Sequence, residues 1–226
     1  MSTSPSLSVQ ITLGAVDVKF EVPPGVTVLF GPSGAGKSRS LGCVAGIFTP
    51  ERGRIALGDE VWFDAENLVP IHARRAAYVF QSLALFPHLT AIENVAYGVN
   101  GTKDERRARA QAMLEKMHVP HLAERKPRTF SGGEAQRVAL ARAFAMKPRV
   151  VLLDEPFSAL DFAVKTELLR EVGEELAKER VPAILVTHQP EDAEVLGDRV
   201  VFLDKGRVTR VATMSEKPFA KERAKE

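Results

Sequence analysis

What this sequence lacks narrows its class before any motif is considered. It has a single cysteine, Cys43, so no intramolecular disulfide is possible, which suits a reducing compartment. No segment approaches the ~20 consecutive apolar residues of a membrane span. The start, "MSTSPSLS", has neither the basic residues nor the apolar stretch of a signal peptide. There is no long basic run, and a formal net charge of +2 gives no reason to expect a nucleic-acid partner. Internal repeats and low-complexity segments are also missing. A cytosolic protein is expected, with any membrane role exerted through a partner.

What is present is the composition of an ordinary globular chain, with 226 residues, 45% of them hydrophobic and 27% charged. That length suffices for one large domain with a small lobe. Residues 9–22, "VQITLGAVDVKFEV", alternate apolar and polar on both sides of Gly14-Ala15, the pattern of a half-solvated hairpin. "GVTVLF" is a buried strand that runs into "GPSGAGKS" and then a helix. "GRIALGDEVWF" suggests edge strands and "AAYVF" a further strand. Between about Ser82 and Arg128 the character changes, and "TKDERRARAQAMLEKMHV" places Ala110, Met113, Leu114 and Met117 on one side of an amphipathic helix. Beyond it come "RVVLLDE", "AILVTH" and "DRVVFLD", three buried strands, the first two followed by helices. The fold class expected is α/β, with a mainly parallel sheet covered on both faces, an N-terminal antiparallel β-subdomain and an inserted α-helical subdomain. The expected division is a core over 1–81 and 129–212, a helical lobe over 82–128, and a charged, frayed tail over 213–226.

The chemistry begins at Gly31, Pro32, Ser33, Gly34, Ala35, Gly36, Lys37 and Ser38, which fit G-x-x-x-x-G-K-[ST] between a strand and a helix. Backbone N–H groups freed by the glycines close around a β-phosphate at the positive end of a helix dipole. Lys37 would neutralise the β- and γ-phosphates of ATP, and the Ser38 hydroxyl would hold Mg²⁺. "VVLLDE" ends an apolar strand in two acids, with Asp154 suited to Mg²⁺ and Glu155 to polarising a water at the carboxyl edge of the sheet. Strand ends of this kind are common, and only the phosphate loop gives the pair its weight. A second glycine turn occurs in "TFSGGEAQRVALARAFA". Ser131 followed by Glu134 forms a capping box, which by itself accounts for a helix start. A cap does not need Gly132 and Gly133, however, and bare N–H groups beside a serine hydroxyl make a second anion site. The chain's own γ-phosphate is already enclosed by residues 31–38, so another phosphate must reach Ser131.

The order of these segments resembles the nucleotide-binding subunit of ABC transporters over nearly the whole chain. "FSGGEAQRVALARA" is similar to the family signature and "VVLLDEPFSALD" follows it. Gln81 in "VFQSLALFPH" resembles the Q-loop, Ser158 to Asp161 the D-loop, and His188 in "ILVTH" the switch histidine. The resemblance implies a P-loop NTPase cassette and a head-to-tail homodimer in which Ser131, Gly132 and Gly133 of one copy cap the ATP of the other. It implies catalytic roles for Glu155, His188 and Gln81, cation contacts from Ser38, Asp154 and Gln81, and a nucleotide contact near Asp161. It also implies transmembrane permease subunits, indirectly a substrate-binding protein, and a place on the cytoplasmic face of the membrane. "YVFQ…LFPHLTAIENVAYG" is most similar to importer cassettes for oxyanions, polyamines, ferric iron and sugars, and molybdate-type cassettes fit best. Residues 83–89, "LALFPHL", suit core packing and a permease-facing groove equally.

Three features depart from the family pattern. Arg39 stands where a threonine is usual, and its guanidinium either pairs with phosphate or turns away. No clear aromatic precedes the phosphate loop to stack on adenine, Phe20 being a poor stand-in, so loose base selectivity is expected. The further β-rich regulatory domain of many such cassettes is not expected after "DKGRVTRVAT". A soluble ABC-type ATPase of repair or translation fits less well, since there is no sustained heptad pattern and only one cassette. A kinase or switch would leave Ser131 and His188 without a role.

Overall fold

The computed structural model describes residues 4–158 and 160–220. The expected D-loop therefore lies partly outside the described residues, at Ala159, as do residues 221–226 of the expected tail.

The first seven elements are β1 (Leu7–Leu13), β2 (Val16–Val22), β3 (Gly25–Phe30), α1 (Lys37–Ala45), β4 (Arg52–Leu57), β5 (Glu60–Phe63) and the single turn α2 (Ile71–Arg74). Next come β6 (Ala76–Val79), α3 (Ala91–Ala96), α4 (Lys103–Lys116) and α5 (Gly132–Ala145). The chain continues through β7 (Val150–Asp154), α6 (Phe162–Glu179), β8 (Pro182–Thr187), α7 (Pro190–Leu196), β9 (Arg199–Asp204) and β10 (Arg207–Thr213).

Among the described residues these strands form one ten-stranded sheet in the order β5-β4-β1-β2-β10-β9-β3-β8-β7-β6. From β9 to β6 every pairing is parallel. From β5 to β2, and between β10 and β9, every pairing is antiparallel. The sheet is thus mixed: the half from β9 to β6 is the expected parallel core, and the half from β5 to β2 is the expected N-terminal antiparallel subdomain. The seam between the two parts is thin: Arg207 of β10 bridges to Asp17 of β2, and the Asp17 N–H donates to the Gly206 carbonyl at 2.7 Å.

Side-chain patterns explain which strands lie where. β7 and β8 are buried at every position, as strands covered on both faces must be. β2 alternates buried and exposed, one face turned to the core and the other to solvent. Two hydrophobic clusters result. One joins Leu29, Leu41, Val44, Trp62 and Ile184 under α1. The other runs from Val151 and Leu185 through α5 into Ile92, Met113 and Leu114. The helical lobe therefore has no separate core, and α5 packs on α3 and α4 as well as on β6. Capping boxes start α3 (Thr90 with Glu93), α4 (Thr102 with Glu105) and α5 (Ser131 with Glu134).

The tail differs from its charged appearance. After β10, Glu216 accepts from the Thr213 N–H at 3.0 Å, and Phe219 is wholly buried against Phe30 and Phe202. A single large apolar side chain anchors a segment that composition alone marks as solvated. No helix among the described residues is long and apolar enough to cross a membrane.

Candidate functional site

β3, β7 and β8 lie side by side and parallel, so their carboxyl ends open on one edge of the sheet. The loop after β3 is the glycine-rich segment. Gly31 lies against the neighbouring strand end, where a Cβ would come within 2.1 Å of the Leu203 carbonyl oxygen. Gly36 has φ 96°, and a Cβ there would meet Val16 at 2.8 Å, so the loop is clamped between the β1–β2 hairpin and α1. Pro32, Ser33 and Gly34 are exposed, Ala35 is buried, and α1 begins directly after Gly36. The first N–H groups of α1 have no side-chain cap, and uncapped N–H groups at a helix start suit an anion.

Lys37 is folded onto the loop, and its Nζ donates to the Gly31 carbonyl at 2.7 Å and the Pro32 carbonyl at 2.9 Å. Burial lowers its pKa, while Glu155 and Asp154 act in the opposite sense. An arriving phosphate would offer Lys37 a charged partner in place of two carbonyls.

Asp154 is buried, with 9% of the residue exposed, and its carboxylate is held from two sides. Ser38 Oγ donates to Oδ1 at 2.8 Å and Tyr78 Oη donates to Oδ2 at 2.9 Å. Burial, then the charge of Asp154 and the hydrogen bond to it, raises the Tyr78 phenol above its ordinary range. Ser38 and Asp154 form a hard-oxygen pair of the kind that suits Mg²⁺, with substrate phosphates and water completing the shell. No group of three or more His, Cys, Asp or Glu is suited to an all-protein metal cage among the described residues.

Glu155 follows at φ 46°, a left-handed conformation rare for a glutamate. Its N–H donates to the Val186 carbonyl at 3.0 Å, which ties the turn to β8. His188, one residue beyond β8, brings Nδ1 to 3.4 Å from Glu155 Oε2. Thr187 Oγ1 accepts from the Gln189 N–H at 3.0 Å, and Lys165 of α6 pairs with Asp192 of α7 at 2.5 Å. Asp161 caps α6, accepting from the Val164 N–H at 3.1 Å.

Gln81 is exposed just beyond β6. Two residues on, the loop turns through Leu83 and Ala84, both at positive φ, and Arg142 of α5 donates to both their carbonyls. Phe86, half-buried, lines an apolar groove with Tyr78, Phe80 and Tyr97, the last 62% exposed.

The second glycine turn opens elsewhere. Ser131 is exposed and lines a groove with His118, His121, Arg137 and Glu167 that contains no residue of the glycine-rich loop 31–38. A Cβ at Gly132 would meet no atom within 4 Å, so packing within this chain does not require a glycine there. Glu134 accepts from the Ser131 N–H at 2.7 Å, and His121 Nε2 lies 3.2 Å from its other oxygen.

The departures also have places. Arg39 is exposed, and its Nη1 comes within 3.7 Å of where a Gly14 Cβ would stand, so the guanidinium lies at the β1–β2 turn. Phe20 is 5% exposed on the inward face of β2 and cannot stack on a base. No sequence motif assigns a role to Tyr78, Arg142 or His121. The one local signal was the polar tip of a tyrosine within an otherwise apolar strand.

Residues 15–158 match the family model described as ABC transporter. The chain belongs to the ABC transporter family. Similar relatives in this family include the molybdenum import ATP-binding protein ModC of Methylococcus capsulatus, 41% identical, with 89% of this chain and 57% of the relative aligned. The Fe(3+) ions import ATP-binding protein FbpC of Pseudomonas fluorescens is 41% identical over 88% of this chain and 57% of its own length. The molybdate/tungstate import ATP-binding protein WtpC of Pyrococcus horikoshii is 41% identical over 93% and 61%. The chain thus spans little more than half the length of these relatives. Among solved structures, a bacterial ABC transporter cassette in dimeric form aligns with a TM-score of 0.80 at 28% identity, covering 92% of this chain and 98% of that one. A dimeric post-hydrolysis cassette bound to ADP and Pi aligns at 0.78 and 28%, covering 94% and 97%.

Proposed function

We propose that the chain is the ATP-binding and ATP-hydrolysing cassette of an ABC importer whose cargo is molybdate or a related oxyanion. The observation that carries the nucleotide part is the meeting of Lys37, Ser38, Asp154, Glu155 and His188 at one sheet edge, while Ser131 opens onto a different surface. Backbone N–H groups of the loop 31–38, Pro32 excepted, bind the β-phosphate, and Lys37 leaves its two carbonyls for the β- and γ-oxygens. Ser38, Asp154 and Gln81 would hold Mg²⁺, which would supply positive charge for the β- and γ-oxygens. Glu155 orients and polarises the attacking water, and His188 steadies the γ-phosphate.

Ser131, Gly132 and Gly133 are assigned to the γ-phosphate of a second copy, so that two head-to-tail chains build two equivalent sites. ATP touches both copies only in the closed pair and favours closure by that differential contact; hydrolysis removes it. The dimeric form of the 28%-identical cassette supports this assembly. The apolar groove at Phe80, Phe86 and Tyr97 is the surface assigned to a permease subunit, which would hold the chain at the cytoplasmic face and link it to a substrate-binding protein.

The names of the molybdenum and molybdate/tungstate relatives support the cargo. Ferric iron is the second reading, supported by the equally similar iron-import relative. Purified chain with Mg²⁺ and ATP should release phosphate. Deletion of the gene should abolish high-affinity molybdate uptake and leave iron uptake intact, whereas the converse would select the iron reading. Absence of phosphate release from chain and permease together would remove the function altogether.

A further inference from the structure

Asp154 is the only carboxylate assigned to the cation in the reading above, and its two donors differ in kind. Ser38 must offer the same hydroxyl oxygen to the metal that now donates to Asp154 Oδ1 at 2.8 Å. Tyr78 approaches from outside the phosphate loop. It lies on β6, opposite Leu152 in the register with β7, and its hydroxyl meets Oδ2 at 2.9 Å. In a position this buried, a carboxylate oxygen that loses its donor is not rehydrated cheaply and turns to find another. A phenylalanine would fill the same space, so the hydroxyl is what the tyrosine adds. The ring has a second neighbour. It stands 4.2 Å from the Phe80 ring, centroid to centroid, and both line the apolar groove.

We propose that Tyr78 is a positioning residue for the cation: its hydroxyl fixes the orientation of the Asp154 carboxylate, and its ring forms part of the groove wall. The groove is thereby joined to the metal-binding carboxylate by one side chain, independently of Gln81. This rests on the nucleotide-site reading.

The test is a Mg²⁺ titration of trinitrophenyl-ATP binding to the full chain, wild type against Tyr78→Phe. The variant should need about tenfold more Mg²⁺ for half-maximal binding, the effect of one lost hydrogen bond to a charged group. Its affinity in EDTA should equal that of the wild type. A tyrosine that merely supports the fold would weaken binding equally with and without Mg²⁺, and that result overturns the inference. Should Tyr78→Phe fail to fold, a Tyr97→Phe chain decides, since the sequence has two tyrosines and Tyr78 is then the sole one. Adding Mg²⁺ to its nucleotide-loaded form should perturb the near-UV tyrosine band, and an unchanged band overturns the inference. A wild type that binds no nucleotide sinks the nucleotide reading and this inference together. Normal wild-type binding with an unshifted Mg²⁺ requirement in the variant sinks this inference alone.

Discussion

Arg142 holds Leu83 through a 2.8 Å hydrogen bond from Nη2 to the Leu83 carbonyl, and its Nη1 donates to Ala84 at 2.7 Å. Both acceptors are non-glycine residues in left-handed backbone, at φ 61° and 45°, a conformation that costs roughly 1–3 kcal/mol each when nothing supports it. Arg142 lies in α5, the helix that begins at the Ser131 turn, and Gln81 is two residues before Leu83. The second glycine turn and the segment carrying Gln81 are therefore joined within one chain. Arg142→Ala should release the 82–84 kink, leaving ATP affinity within about twofold of wild type while lowering the turnover number about tenfold, as loss of a positioning contact does. Limited proteolysis should find new cleavage at that loop. Equal kinetics with an unchanged digest would remove the role.

Lys37→Ala should abolish detectable ATP binding, because no other residue of the loop supplies a cation at the β- and γ-oxygens. Equilibrium dialysis measures this, with a thermal melt to verify folding, since Lys37 also braces two carbonyls of its own loop. Retained binding would mean that residues 31–38 do not form the phosphate site.

Glu155→Gln keeps the shape of the side chain and removes the charge that faces His188. It should bind ATP, stall hydrolysis by at least about a hundredfold as loss of an acid–base group does, and accumulate a dimer. Light scattering at high protein concentration reads the mass; a monomer in saturating ATP argues against the shared site.

Arg39→Thr addresses the departure at the helix start. A guanidinium resting at the Gly14 turn is free to reach a nucleotide, and its removal should weaken ATP binding by about threefold, the scale of an exposed charge contact. Affinity equal to wild type would show that the side chain does not touch the ligand.

Cys43 is buried in α1, and desolvation raises its pKa to about 11, with Arg39 and Arg74 pulling the other way. At pH 8 the folded chain should resist iodoacetamide, because the thiolate is the reactive form. Labelling should appear only with unfolding, and rapid labelling of the native chain would contradict the packing of α1.

Much of this molecule was legible locally. The glycine-rich loop, the acids ending β7 and the capping box at Ser131 each consist of neighbours in sequence, so their spacing carries the geometry. The order of strands did not show, because β10 returns to lie between β2 and β9 through contacts nearly two hundred residues apart in the chain. The same limit hid Arg74, which reaches from α2 to donate at 2.8 Å to the Cys43 and Val44 carbonyls at the end of α1. Tyr78, His121 and Arg142 act through partners that only the fold brings near. Phe20, a poor stand-in for a base-stacking ring by sequence, could be placed only by the fold, since an aromatic in an alternating strand has two faces available and composition does not say which is buried.

The aromatic contact below the phosphate loop carries a mechanical consequence. Phe219 rests on Phe30 with ring centroids 4.8 Å apart, and Phe30 is the residue immediately before Gly31. A pull applied at Ala220 would therefore reach the root of the glycine-rich loop through the rings that Phe219 touches, Phe30 and Phe202, much as a tether pulls on a hinge pin.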